Sequence, residues 1–502
     1  MPSLTINNKR IEVEPGTTIL QAARSLGIEI PTLCHWDSVP PMNSCMLCVV
    51  RNAKTGQLLS SCSSQAQQDM EIETDSGDVC AARKEVLDLI VSEHLGDCEA
   101  PCSHTCPASM NIPQMMRQMY TGDLEGAAYT VTLGLVFPWT LGYVCPAPCQ
   151  NPCRRKSYDE TMQIRDMHRS VAEAGYSDAP ELLECLPDTG KRIAVIGSAM
   201  SGMSAAWVLR KSGHACTIFE KEAKAGGKLR GLPEKDLPNG VLDAEIARVE
   251  RLGVEFRYGS EVTKESLDEI QKEFDAVVVA CNGVAPPSGK IFEAKEHKLN
   301  VRAVGNGKGA AVLVDRYLKS MNGAAAKELF ESKIGRMEKA ELEVMRSHNE
   351  NREAMEPEPV ADNLARNQTE AGRCLHCDCR KRTSCRLRKW CSEYGVEMRK
   401  FTAAELPEYR IIGRDGDVIF EPGKCIRCGL CVAIAKKYGE EIGLTFIGRG
   451  FDMDIRVPFD EPLERGIRES AAECIEACPT AAISWRNAED AEHCHTTTWI
   501  EL

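Results

Sequence analysis

Aromatic side chains and positive charge are both scarce in this sequence. Phe, Tyr and Trp make up 5% of it, and 61 Lys and Arg face 74 Asp and Glu, a formal net charge of −13. A nucleic-acid-binding surface is therefore not expected as its main role. Histidine is sparse too, at 10 residues. No apolar h-region opens the chain, which begins MPSLTINNKR, so a secretory signal is not expected. A membrane span is not expected either. The longest uncharged stretch, Gly126 to Cys153, has an apolar part of about the ~18-residue minimum, but Gly134, Pro138, Gly142 and three threonines interrupt it. No Ser/His/Asp or paired-carboxylate pattern stands out as an acid–base or nucleophilic site. Hydrophobic residues at 43% are nevertheless ample for folded cores, which excludes wholesale disorder.

Cysteine is where the sequence is rich, with 25 in 502 residues. Thiols this dense in a long chain without a leader are expected to be metal ligands in a reducing cytoplasm, not disulfides. At a soft ~150 residues per domain the length suggests about three domains, and the cysteine groups divide the chain further. Residues 1–78 alternate as strands do, with a hairpin turning at Asn7-Asn8 and a short amphipathic helix behind a threonine. Residues 79–185 read as helical. Residues 190–325 read as strand–helix–strand, opening KRIAVIGSAMSGMSAAWVLRKSGHACTIFEKE. Residues 326–400 form a charged, helical connector through Glu356-Pro357-Glu358-Pro359 and a cysteine-rich segment, and residues 401–502 hold the last groups.

Cys34-x10-Cys45-x2-Cys48-x13-Cys62 offers four thiolates from loops around a sheet, as a [2Fe–2S] cluster requires, with zinc the alternative. PTLCHW, NSCMLCVV and SSC in this segment resemble the N-terminal [2Fe–2S] domain of the large iron–sulfur subunit of complex I and NAD-linked hydrogenases, which implies a β-grasp fold. In GDCEAPCSHTCP and VCPAPCQNPC, Cys98, Cys102 and Cys106, like Cys145, Cys149 and Cys153, are spaced i, i+4, i+8. These segments resemble the helical double-cluster domain of the glutamate synthase small subunit and dihydropyrimidine dehydrogenase. The resemblance implies one [4Fe–4S] cluster on Cys106, Cys145, Cys149 and Cys153, and a second that keeps Cys98 and Cys102. The family's first cysteine is missing here, and His94, His168 or Cys80 are the candidates to complete the second set.

RCLHCDCRKRTSCRLRKWC gives a further [4Fe–4S] set on Cys374, Cys377, Cys379 and Cys385 with Cys391 spare, zinc again being the alternative. KCIRCGLCV gives the ferredoxin run Cys425, Cys428 and Cys431. FIGRGFDMDIRVPFDEPLE, which follows, again resembles the complex I and hydrogenase subunit, and that pattern adds Cys478 to the run. Its partner cluster would need cysteines where Ala435, Arg468 and Ala471 stand and is expected to be lost, with Cys474 left unligated. Cys80, Cys185, Cys216, Cys281 and Cys494 remain as ordinary thiols.

The strand–turn–helix from Lys191 places Gly197, Ser198, Ala199 and Gly202 in a dinucleotide-binding turn, with Glu220 at the end of the next strand. Ala199 stands where a second glycine would let the backbone approach a pyrophosphate. Similarity to the glutamate synthase small subunit continues through AGGKLRGLPE, adding Gly227. That family's inserted NADPH-binding domain is missing here, as is the GD that meets the flavin ribityl chain. A direct nicotinamide site is not expected. FAD at these residues and a flavin domain kept only as scaffold are both left open.

Complex-I-like ends thus enclose a shortened glutamate-synthase-like middle. The fold class implied is multidomain α+β and α/β: β-grasp [2Fe–2S] domain, helical double-cluster domain, truncated Rossmann-like domain and C-terminal ferredoxin-like domain. The function implied is that of an iron–sulfur electron-transfer subunit of a cytoplasmic NAD(H)-linked oxidoreductase complex, with one [2Fe–2S] and about four [4Fe–4S] clusters. Its partners would be an NADH-binding flavoprotein subunit, a small thioredoxin-like [2Fe–2S] subunit and a catalytic hydrogenase or formate dehydrogenase subunit. Ferredoxin would be a further partner and the assembly electron-bifurcating. The rivals are an FAD-containing flavoenzyme and, more distantly, a zinc-stabilised scaffold.

Overall fold

The computed structural model describes residues 1–174, 183–281, 287–319, 329–348, 364–398, 400–401, 406–413 and 416–486. The Glu-Pro connector and Cys494 lie outside the described residues. Chain contacts gather the described residues of Met1–Glu99, Ala326–His348 and Asp378–Asp490 into one unit, and those of Ala100–Ala325 and Asn349–Cys377 into another.

The first unit opens with strands Ser3–Ile6 and Lys9–Glu12, antiparallel around Asn7 and Asn8, both at positive φ as a tight hairpin turn requires. A five-stranded sheet follows, in the order Lys9–Glu12, Ser3–Ile6, Glu71–Glu73, Val49–Asn52, Leu58–Ser60. Its Ser3–Ile6 and Glu71–Glu73 strands run parallel, which makes the expected β-grasp. Thr18 caps helix Ile19–Ser25 through a capping box with Gln21, and the helix buries Ile19, Leu20, Ala22 and Ala23 under the sheet. Helix Gly77–Ser92 belongs with this unit rather than with a new domain starting at 79: buried Arg83 donates to Val49 O at 2.7 Å. Later in the chain, strand Val418–Phe420 pairs antiparallel with Ile483–Trp485, and helices Leu430–Tyr438 and Ala471–Ala477 pack together.

The second unit joins a helical part to a doubly wound sheet. The long apolar stretch folds into helices Leu124–Leu135 and Pro138–Val144, bent by 69° to each other and largely buried. Among the described residues no single helix is long and apolar enough to cross a membrane. The parallel sheet has the order Ile291–Glu293, Ala276–Val279, Arg192–Ile196, Ala215–Phe219, Glu255–Arg257. Helix Asn300–Leu318 crosses helix Met200–Lys211 so tightly that a Cβ on Gly307 would lie 2.1 Å from Ser201 O, so only glycine fits there. Buried Lys308 on that helix donates to Ala108 O and, at 2.9 Å, to Gly134 O, fastening the sheet layer to the helical cysteine segment.

Candidate iron–sulfur centres and nucleotide site

Cys34, Cys45, Cys48 and Cys62 are all buried, on the loops expected. They associate as two pairs. The Cys45 thiol hydrogen-bonds Cys34 and holds it down to about 5, and Cys62 does the same to Cys48, which sits at about 7. The partner thiols, Cys45 and Cys62, are pushed up. Two pairs of thiols is the donor set a [2Fe–2S] rhomb takes, two per iron.

Three of the remaining groups share a backbone device. In the Cys374, Cys425 and Cys145 loops the residue two positions on (His376, Arg427, Ala147) lies at positive φ, 47°, 53° and 51°. That left-handed turn aims its N–H back at the sulfur: Arg427 N–H donates to Cys425 Sγ at 3.3 Å and Ala147 N–H to Cys145 Sγ at 3.4 Å. Strained non-glycine positions persist where the surroundings fix them. N–H donors to sulfur are how proteins stabilise thiolate-bound clusters.

The fold groups the thiols differently from their spacing. Cys102, Cys153, Cys374 and Cys377 line one small buried cavity in the second unit. Burial raises the Cys102 thiol well above its ordinary value, and Cys374, Cys377, Cys153 and Cys149 raise it further. Two arginines make this meeting. Arg155, two residues after Cys153, donates to Arg373 O at 3.2 Å, and Arg373 donates to Asp159 Oδ1 at 3.2 Å and Glu160 O at 2.9 Å. Cys106, Cys145 and Cys149 form the next group: Cys106 acts on both others, and Cys153 also reaches Cys149.

In the first unit, Cys98 O accepts from Cys379 N–H at 3.4 Å, and the Cys98 thiol, pushed up to about 12 by burial, feels Cys379 and Cys385. The expected sets Cys98–Cys102 and Cys374–Cys385 are therefore both divided, because the boundary between units falls after Glu99 and after Cys377. His94 stays with Cys98. Its Nδ1 is shut off from solvent with no hydrogen-bond partner, and burial followed by the nearby Lys424 lowers it to about 4. Lys424 in turn is held charged against Glu421 and Cys379. His168 lies in the second unit instead, on helix Ile164–Glu173 with Nδ1 3.0 Å from Pro138 O. Cys80 is spent on helix entry, its thiol 3.6 Å from Asp75 O.

Cys425, Cys428, Cys431 and Cys478 line another small cavity, bordered by Cys474. Cys474, the thiol expected to be unligated, donates to Cys431 O at 3.7 Å. Burial pushes Cys425 up to about 12 and Cys431 well above its ordinary value. A buried thiolate is costly unless a cation neutralises it. Grouped, buried sulfurs with N–H donors fit iron–sulfur clusters.

The dinucleotide turn and Glu220 meet directly. Glu220, buried at the end of strand Ala215–Phe219, accepts from Ser198 N–H at 2.9 Å and Ser198 Oγ at 2.5 Å. With Ser198, Ala199, Gly227, Arg230 and Cys281 it lines a cavity of about 780 Å³, compatible with a nucleotide. The pyrophosphate end is different, and sequence reasoning missed why. Glu296 Oε2 takes the Ser201 N–H at 3.3 Å and Ser201 Oγ at 2.9 Å, and its other oxygen lies 3.4 Å from Lys228 Nζ. The chain's own carboxylate thus holds the helix N-terminus where a phosphate would sit. A pyrophosphate at this helix N-terminus would compete with Glu296 for the Ser201 donors. Glu296→Ala is accordingly expected to tighten ADP-ribose or FAD binding to the full chain about tenfold, at most ~2 kcal/mol for a partly buried helix-end charge. Calorimetry with each ligand checks it, and equal affinities would show that Glu296 does not compete.

Three stretches match described families: a 2Fe-2S iron-sulfur cluster binding domain over residues 2–77, dihydropyrimidine dehydrogenase domain II with a 4Fe-4S cluster over 93–179, and an NAD(P)-binding Rossmann-like domain over 195–247. The chain is thus a multidomain α+β protein with iron–sulfur and Rossmann-like domains. It is 34% identical over 208 residues to the NAD-dependent dihydropyrimidine dehydrogenase subunit PreT of Escherichia coli O157:H7, covering 40% of this chain and 50% of that one. It is 32% identical over 210 residues to the NADP(+)-dependent formate dehydrogenase subunit beta of Moorella thermoacetica, covering 36% of this chain and 29% of that one. Among solved structures, an NAD+-reducing [NiFe]-hydrogenase aligns over 97% of this chain and 89% of its own, at a TM-score of 0.38 and 12% identity. The chain spans half or less of the length of the curated relatives it matches.

Proposed function

We propose that the chain is an iron–sulfur relay subunit of a cytoplasmic NAD(P)(H)-linked oxidoreductase complex. It passes electrons between a flavin-containing, nucleotide-oxidising subunit and a catalytic subunit of formate dehydrogenase or hydrogenase type. A thioredoxin-like [2Fe–2S] subunit and ferredoxin are further partners. The observation that carries this reading is the arrangement of buried and half-buried thiols in five groups, three of them in one unit, with no acid–base or nucleophilic constellation beside them among the described residues. The clusters supply one-electron steps, and the residues described here hold, desolvate and charge-balance them. The ligand sets proposed are Cys34/Cys45/Cys48/Cys62, His94/Cys98/Cys379/Cys385, Cys102/Cys153/Cys374/Cys377, Cys106/Cys145/Cys149 with a fourth group, and Cys425/Cys428/Cys431/Cys478.

Metal and flavin analysis of the anaerobically purified full chain tests the reading. About eighteen irons are expected, from one [2Fe–2S] and four [4Fe–4S] clusters, with little zinc. Zinc in place of iron would sink it, and so would stoichiometric FAD with NAD(P)H oxidation by the isolated chain. His94 has its own check. Cysteine at His94 should keep the cluster but lower its potential, because a thiolate replaces a neutral imidazole, as the His-to-Cys contrast of Rieske centres shows. Serine at Cys391 should leave the same EPR signal in place. Loss of the signal in Cys391→Ser, with His94→Ala harmless, would make Cys391 the ligand.

A further inference from the structure

Arg386 follows Cys385 directly and begins helix Arg386–Glu393. Its Nη1 donates to His35 O at 3.4 Å, and His35 is the residue after Cys34. Its Nη2 donates to Ala477 O, and Ala477 is the residue before Cys478. The guanidinium carbon sits 5.7 Å from the centre of the Trp36 ring. One side chain therefore ties together the peptides next to three cysteines, each from a different ligand set of the first unit. Lys381 shares part of the position: it donates to Cys478 O at 3.0 Å and to Ile475 O. It does not reach the [2Fe–2S] loop by any of these bonds.

Building on the relay reading above, we infer that Arg386 is a shared positioning and charge-balancing residue for three clusters, the one on Cys34/Cys45/Cys48/Cys62, the one on Cys98/Cys379/Cys385 and the one on Cys425/Cys428/Cys431/Cys478. Adding an electron to a thiolate-bound cluster adds negative charge, and a fixed, half-buried cation favours that state. A cation within reach of all three raises the three potentials together and keeps them matched for electron passage. It also sets the spacing of the loops, because its two carbonyl acceptors flank ligands of different sets.

The test is an EPR-monitored redox titration of the iron-loaded full chain. Arg386→Met removes the charge and both hydrogen bonds. It should make reduction of all three first-unit clusters at least tenfold less favourable, ~59 mV for a one-electron couple. The two clusters of the second unit should not move. Arg386→Lys keeps the charge, so its three potentials should stay within about threefold of wild type in reduction equilibrium, ~28 mV on the same scale. If Arg386→Met loads less iron, Arg386→Gln, which keeps a donor but no charge, carries the same expectation. A shift confined to one cluster would overturn the inference, as would no shift, or equal shifts in Arg386→Lys and the neutral variants. Absence of iron from the wild-type chain is a different result, since it removes the relay reading before Arg386 is addressed.

Discussion

Alanine at Cys374 is expected to cost the protein one [4Fe–4S] cluster, about four irons, and to remove the same EPR signal as alanine at Cys102. Cys374 and Cys102 line one cavity with Cys153 and Cys377, although most of the second unit separates them in the chain. Alanine at Cys385 should erase a different signal, because Cys385 acts with Cys98 and Cys379 in the first unit. Iron analysis and EPR of the three variants, purified without oxygen, decide between this grouping and the one that spacing suggests. If Cys374→Ala and Cys385→Ala lost the same signal while Cys102→Ala kept it, the dense cysteine run would be one set after all.

This difference shows which parts of the protein can be read along the chain. The [2Fe–2S] thiols, the Asn7-Asn8 hairpin and the Thr18 cap are local: their partners lie within a few tens of residues, so pattern and turn chemistry suffice. The parallel sheet and Glu220 were likewise legible from strand–turn–helix order. Ligand sets closed across a long insertion are not local. Nothing in Cys98-x3-Cys102 says that the chain passes from one unit to another between those two cysteines. A signal was nonetheless present. The complex-I-like segments lie towards the two ends of the chain, around Cys34–Cys62 and around Cys425–Cys478, so residues between them could be suspected of folding as a separate body. Glu296 was missed for a related reason. Its role depends on strand Ile291–Glu293 delivering the following loop to the start of helix Met200–Lys211, a contact set by sheet order rather than by spacing. Arg386 looked like one of several basic residues near a cysteine run, and only the carbonyls it meets set it apart.

Alanine at Glu370 should destabilise the second unit by several kcal/mol. Glu370 and Arg373 are fully buried and joined by two hydrogen bonds, of 2.7 and 2.9 Å. Removing one partner of such a pair leaves an uncompensated buried charge, typically at ~3–5 kcal/mol. Arg373 would keep Asp159 at 3.2 Å, and Asp159 is a quarter exposed, so the cost should fall toward the lower end of that range. The consequence reaches the site, because Arg373 adjoins Cys374 and its carbonyl accepts from Arg155. Loss of the pair should therefore loosen the Cys374 loop and lower iron occupancy there more than at Cys425. Thermal unfolding of the iron-loaded full chain, read beside EPR intensity for each cluster, measures both effects. Replacing the pair together, Glu370→Leu with Arg373→Met, separates the charge effect from the loop effect. Apolar replacement of a whole buried pair is often neutral or stabilising, so stability should largely return. The Asp159 and Glu160 contacts that draw Cys374 to Cys153 would be lost with Arg373, so an iron deficit at that cluster should persist. Full recovery of iron in the double variant would mean that the buried pair serves stability alone and that Cys374 reaches its cavity without it.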